Sequence, residues 1–163
     1  MNLDEIPPEI FVFKEILPRF PDGRIDYHDA TEAAVLNCFL AYNGKLLLVK
    51  RSDKVGWLKG RWHVIAGFLD EEKTLRQKAL EEVQEETGIG QDCIASVRAL
   101  EPVHYTDEAK HWIVYNVIVE LSAFPKITLD WESPEYEWVE HAEVGSYGLL
   151  TPVAAVAQLI FSQ

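Results

Sequence analysis

An α/β fold, with a mixed β-sheet carrying helices on its faces, is what the sequence predicts, on three observations. Short apolar runs outnumber amphipathic stretches, the hydrophobic period changes from two to 3.6 residues after Gly67, and helical signals fall between and after the strand signals. At 163 residues the chain is the size of one domain. A chain of that length buries roughly two thirds of its unfolded surface and folds without covalent staples. With 48% hydrophobic and 26% charged residues, it is neither disordered, collagen-like nor coiled-coil.

Residues 1–32 read as an N-terminal extension, broken by Pro7, Pro8, Pro18 and Pro21 around one strand-like piece, Phe11 to Ile16. Ala33–Tyr42 and Lys45–Arg51 are apolar runs flanking Asn43-Gly44, a two-residue hairpin signal, and predict two antiparallel strands. Trp62–Ala66 predicts a third strand. The 3.6-residue period then predicts a helix over 75–86, with Thr74 as N-cap and Gly88 as terminator; Asp70, Glu71 and Glu72 suit its positive end. Ile94–Leu100, Trp112–Leu121 and Tyr136–Val139 predict further strands separated by polar segments. Thr151-Pro152 supplies an N-cap and a first-turn proline for a last helix to about Phe161.

The formal net charge of −12, from 15 Lys and Arg against 27 Asp and Glu, disfavours nucleic acid and anionic membranes as partners. A phosphate-bearing ligand therefore needs a local cation. Cys38 and Cys93 lie in apolar stretches and form no CxxC pair, so a reducing cytoplasm is the expected compartment. Met1 to Pro8 has no basic region ahead of an apolar core, unlike a secretory signal. The apolar runs 33–42, 112–121 and 153–161 are far short of the ~18 residues of a membrane span.

Chemistry concentrates on the 75–86 helix. At about 100° per residue, Glu82, Glu85 and Glu86 fall on one side, bordering the apolar arc of Ala79, Leu80 and Val83. Like charges so placed repel by a few tenths of a kcal/mol per pair when exposed, and by more when desolvated. A hard divalent cation, which takes oxygen ligands and keeps waters for a phosphate, removes that conflict. A solvated acidic face is the alternative. His63, His104 and His111 have no zinc-ligand spacing and read as core or surface histidines.

Gly67, Glu82, Val83, Glu85, Glu86, Gly88 and Ile89 resemble, at matching spacing, the box of the Nudix hydrolases. That box runs Gly, five residues, Glu, seven residues, then Arg-Glu-aliphatic-any-Glu-Glu-any-Gly-aliphatic. Two positions depart from it in a paired way: Lys73 stands for the Glu and Glu81 for the Arg. In the family these two usually form a loop-to-helix ion pair, so exchanging both signs preserves the attraction and leaves an extra anion beside the cluster. Upstream, Trp62 to Gly67 lacks the proline and one glycine of the common approach. Lys45–Arg51 and Trp131–Val139 extend the resemblance with lower specificity.

The resemblance implies an α/β/α sandwich over residues 33–163 and hydrolysis of a diphosphate linkage with Mg²⁺ or Mn²⁺. It implies Glu82, Glu85, Glu86 and a backbone carbonyl at Gly67 or Ala66 as metal ligands. Glu85, Glu86 and a later-loop glutamate, Glu132 ahead of Glu135, become the catalytic candidates. Lys50 and Arg51 are phosphate-binding candidates, Arg51 for its bidentate fork. Trp57, and less strongly Phe68 and Tyr105, are stacking candidates for a base. Tyr105 sixteen residues past Ile89 resembles dinucleoside polyphosphate hydrolases, whereas an N-terminal extension with strand character resembles ADP-ribose hydrolases, in which it helps build a homodimer and its site. The favoured expectation is a small nucleotide substrate of ADP-ribose or nucleotide-sugar type. Dinucleoside polyphosphate or nucleoside triphosphate hydrolysis and a non-catalytic nucleotide-binding module are the alternatives. An isopentenyl diphosphate isomerase is disfavoured because Cys38 lacks that family's sequence context.

Overall fold

The computed structural model describes residues 1–163. Its centre is the parallel pair β1 (Glu32–Tyr42) and β7 (His111–Leu121), in register from Glu32 opposite His111 to Ala41 opposite Glu120. Both strands are buried almost throughout, as expected of near-continuous apolar runs covered on both faces. β2 (Lys45–Lys50) returns from β1 through Asn43-Gly44, both at positive φ, and pairs with β8 (Glu135–Glu140). β5 (Ile94–Ala99) and β6 (Val103–Thr106) pair antiparallel with β7, completing an eight-stranded mixed sheet with β3 and β4.

The expected strand 62–66 is two short ones. β3 (Trp62–His63) pairs with β2, while β4 (Ile65–Phe68) crosses to pair with β1, so the chain changes partners at Val64. That transfer places Gly67 in β4, opposite Leu36 of β1. α2 (Leu75–Thr87) follows β4 and packs Leu75, Ala79 and Val83 into the larger core. On the other side, α3 (His141–Val144) and α4 (Thr151–Phe161) cover a second cluster through Val144, Val153, Val156 and Ala157. Helices thus lie on both faces, as an α/β/α sandwich requires. Thr151 is the first residue of α4 rather than its cap, which is Leu150 without a side-chain bond. Val103–Thr106, read as part of a polar segment, is a strand because it borders β7.

The N-terminal segment corrects the strand expected at Phe11–Ile16. It is a helix, α1 (Pro8–Ile16), with Pro7 at the N-cap and Pro8 at the first position. Its buried residues Ile10 and Phe13 stand three apart, a helical spacing, while Phe11, Val12 and Ile16 are exposed. Leu3, Ile10, Phe13, Ile25 and Tyr27 belong to the same core as β1 and α2. Ile10→Ala should therefore destabilise the whole domain by about 2–5 kcal/mol, read as one cooperative urea transition at a lower midpoint; an unchanged midpoint would separate α1 from the core.

Candidate active site

α2 is fixed at both ends. Thr74 Oγ1 accepts from the Gln77 amide at 3.1 Å and Gln77 Oε1 accepts from the Thr74 amide at 2.9 Å, a capping box. Gly88 ends the helix at φ 75°, its amide donating to the Gln84 carbonyl at 2.8 Å. With Ala79 and Val83 turned into the core, the acids of the bordering arc are carried to the opening beside β4.

Glu82 lies against Gly67, where a Cβ would stand 2.5 Å from the Glu82 carboxyl carbon; only glycine permits this approach. Glu86 is 2% exposed, and its Oε2 has no hydrogen-bond partner. Burial, then the nearby charges of Glu82, Glu132 and Asp130, push its pKa up to about 10. Burial also raises Glu82, against the pull of Lys78. Glu85 is exposed and lines the same cleft, so of the two catalytic candidates on α2 it is the accessible one.

A side chain that sequence reasoning missed stands at the centre of this edge. Lys78 is 6% exposed, with Nζ 3.2 Å from Glu82 Oε1, 3.6 Å from Asp70 Oδ1 and Glu71 Oε1, and 3.7 Å from Glu81 Oε1. Burial works against its charge, but Glu82 and Asp70 outweigh it, so its pKa is raised. Its position four residues before Glu82 is the signal that marks it. The exchanged pair is made: Lys73 Nζ stands 2.6 Å from Glu81 Oε2 and 3.4 Å from Glu71 Oε2.

Glu82 and Glu85 face a cleft of about 390 Å³ that Glu132, Arg51, Trp57, Tyr105 and Gly67 also line. Glu132 is half-buried, and burial and Asp130 raise its carboxyl while Arg51 opposes them. Arg51 Nε donates to the Trp57 carbonyl at 2.9 Å and its guanidinium lies 5.9 Å from the centre of the Trp57 ring. Burial lowers its pKa against the charges of Glu132, Glu86 and Asp130.

Three candidates do not line the cleft: Lys50 ends β2 opposite Glu135, neither of them reaching it, and Glu86 is buried. Trp57 is packed rather than free, its ring 5.3 Å from Trp112 and edge-on to His63 at 5.7 Å. The aromatic wall continues through Phe68, 6.3 Å from Trp112 and stacked on Tyr27 at 5.4 Å. Phe68 is 43% exposed at the cleft. His63 is buried, and burial pulls its pKa down to about 3. His104 and His111 lie together elsewhere, ring nitrogens 2.9 Å apart.

The NUDIX domain family matches residues 30–160, which span the cleft, α2 and the box glycines. The chain belongs to the NUDIX family. That membership gives the enzyme class, a hydrolase of phosphorus anhydrides. Among solved structures, the NUDIX fold here is similar to a MutT protein from Methanosarcina mazei, with TM-score 0.66 and 20% identity over 80% of this chain and 93% of that one. The NUDIX domain of Shewanella oneidensis NrtR, solved with ADP ribose, has TM-score 0.66 and 20% identity over 79% and 86%. A C. elegans Ap4A hydrolase has TM-score 0.63 and 17% identity over 82% and 96%. No curated protein matches the chain. No helix is long and apolar enough to cross a membrane.

For a NUDIX domain the divalent metal is tested by the donor set. Glu82, Glu85 and Glu86 offer hard carboxylate oxygens, and the unpartnered Glu86 Oε2 is a buried acceptor that a cation would satisfy. No three acids stand preformed as a coordination shell; the fit is one of donor chemistry.

Burial and the neighbouring carboxylates hold the proton on Glu86 well above the pH, near 4.5, at which the unfolded chain releases it. Across that window the folded state keeps a proton the unfolded state has released, so this residue removes stability as pH rises. With chelator present, Glu86→Gln should stabilise the protein at pH 8 by about 1–3 kcal/mol, with a gain that shrinks toward pH 5. Urea titrations at the two pH values check this, and an equal gain at both would refute it.

Proposed function

We propose that the chain is a divalent-metal-dependent pyrophosphohydrolase that cuts the diphosphate of a nucleoside diphosphate joined to another group, of ADP-ribose or nucleotide-sugar type. The observation that carries this reading is one cleft with two chemistries: an acidic edge from α2 and Glu132, continuous with an aromatic wall of Trp57, Trp112 and Phe68. A nucleotide needs both. Its base stacks on an aromatic face, and its diphosphate meets cations.

In this reading Glu82, Glu85 and Glu86 hold Mg²⁺ or Mn²⁺, with the carbonyl of Gly67 as a further ligand. The metal supplies Lewis-acid polarisation and an activated water. Glu132, half-buried among anions, takes the proton of the attacking water as general base. Arg51 pairs with the diphosphate oxygens through its free guanidinium nitrogens. Phe68, more exposed than Trp57, receives the base. The complex of the Shewanella domain with ADP ribose supports the ADP-ribose type, as does the N-terminal segment, which brings Arg24 to the cleft and Tyr27 behind Phe68. Tyr105, which lines the cleft, favours the dinucleoside polyphosphate alternative.

The test is a panel of ADP-ribose, a nucleotide sugar, diadenosine polyphosphates and nucleoside triphosphates, with Mg²⁺ or with chelator, read by product analysis. Metal-dependent release of AMP from ADP-ribose is expected, and no turnover of any compound would favour a binding module. On the best substrate, Glu85→Gln, Glu86→Gln and Glu132→Gln should each lower kcat by roughly 10²–10⁴-fold. Phe68→Ala should instead act mainly on KM, by roughly 5–100-fold, the scale of one stacked base.

The exposed apolar residues Phe11, Val12 and Ile16 of α1 support the homodimer expected of the N-terminal segment. Sedimentation should find a dimer that Ile16→Glu dissociates, and a monomeric wild type would refute it.

A further inference from the structure

We propose that Lys78 is a built-in counter-ion of the metal site, a positioning residue that pins Glu82 and lowers the affinity of the acidic edge for divalent cations. This rests on the metal-dependent reading above and goes beyond it, because nothing in the box pattern assigns position 78.

The argument begins with Glu82. Its carboxyl group is pressed on one side against Gly67 and met at Oε1 by the Lys78 ammonium at 3.2 Å. One oxygen thereby faces the lysine, and the carboxyl fills the space that a side chain at position 67 would take. The Glu86 carboxyl contacts the same group. The lysine is itself held by Asp70, Glu71 and Glu81 at 3.6–3.7 Å, carboxylates from the β4–α2 loop and from α2, so its place does not depend on Glu82 alone.

Charge accounts for why a lysine stands there. The family's Arg at position 81 would put a cation next to Glu82; this chain has Glu81 instead, which adds an anion. Lys73 neutralises one oxygen of Glu81 at 2.6 Å, and Lys78 stands 3.7 Å from the other. Lys78 therefore returns, one helical turn earlier, the positive charge the exchange removed. A fixed cation in contact with a ligand carboxylate also repels a divalent ion bound to that carboxylate, and weak screening at a 6%-exposed site leaves the repulsion strong.

The test is Mn²⁺ titration by calorimetry on the whole protein without substrate. Lys78→Met should bind Mn²⁺ roughly ten-fold more tightly than wild type, a change of about 1.4 kcal/mol, although it loses a buried partner of four acids and unfolds at a lower temperature. Lys78→Arg, which keeps the charge, should return the affinity to within about two-fold of wild type. Should Lys78→Met fail to fold, Lys78→Gln, neutral but able to donate to Glu82, is expected to show the same tightening. Unchanged or weaker binding in the neutral variant overturns the proposal, as does Lys78→Arg binding as tightly as the neutral variant, because mere structural damage would not raise affinity. Absence of Mn²⁺ binding by the wild type overturns the metal reading and this inference together, whereas wild-type binding without tightening overturns this inference alone.

Discussion

Carboxyl groups crowded and buried along one edge of a helix are the constraint on which the rest of this structure depends. Glu82 and Glu86 are pressed against a sheet, and Glu86 retains an oxygen without a partner. A free α2 would turn such a face to water. It is held inward because Leu75, Ala79 and Val83, all below 1% exposed, fill the core from the same helix, because its ends are capped, and because Gly67 leaves the room that a side chain would take. The stability of the surrounding parallel pair is what allows this edge to remain unrelieved.

The segment ahead of β1 matters to that edge through the loop between β4 and α2. The Ile25 amide donates to the Asp70 carbonyl at 2.9 Å, and the Tyr27 hydroxyl donates to the Leu69 carbonyl at 2.7 Å. Arg76, in the first turn of α2, is paired with Asp4 at 2.8 Å. The loop that carries Asp70 and Glu71 to Lys78 is thus clamped from outside the box. Lys110, from the turn before β7, in turn donates to the carbonyls of Tyr27 and Ala30 at 2.8 and 2.6 Å, tying the clamp to the central strand. Through Leu3, Ile10, Phe13, Ile25 and Tyr27 the segment is a wall of the same core.

The fold was legible where period and capping agree. The Asn43-Gly44 hairpin, the long apolar strands and α2 with Thr74 and Gly88 at its ends all carry local signals stronger than their tertiary surroundings. α1 was not, since Phe11 and Phe13 mimic strand alternation while the residues that decide its form are Pro8, at its first position, and the i, i+3 pair Ile10 and Phe13. β6 escaped because a four-residue strand bordering a long one needs only a neighbour, and the neighbour is not local. In the site, the acids at 82, 85 and 86 were legible from helical geometry, and the loop Glu132 from resemblance alone. Lys78 was overlooked because attention to a carboxylate pattern hides the cation inside it. Lys50, the last residue of β2, pairs opposite Glu135 away from the cleft, whereas Arg51, the next residue, lines it.

Electrostatics links these features to the order of events at the cleft. The chain carries a net charge of −12, and the cleft adds Glu82, Glu85 and Glu132 to its walls, so a bare diphosphate meets repulsion both at a distance and on contact. Arg51 alone does not reverse this, since the charges of Glu132, Glu86 and Asp130 already act on it. In the metal-dependent reading proposed above, a diphosphate and a divalent cation would therefore enter as mutually supporting ligands, each raising the affinity for the other by the same factor. The aromatic wall acts differently, because stacking on Phe68 is indifferent to charge and gives the base a foothold independent of the cation. In that reading the nucleoside end of the substrate would be the part that can bind first, and the reacting phosphates would be seated only when their counter-charge is present.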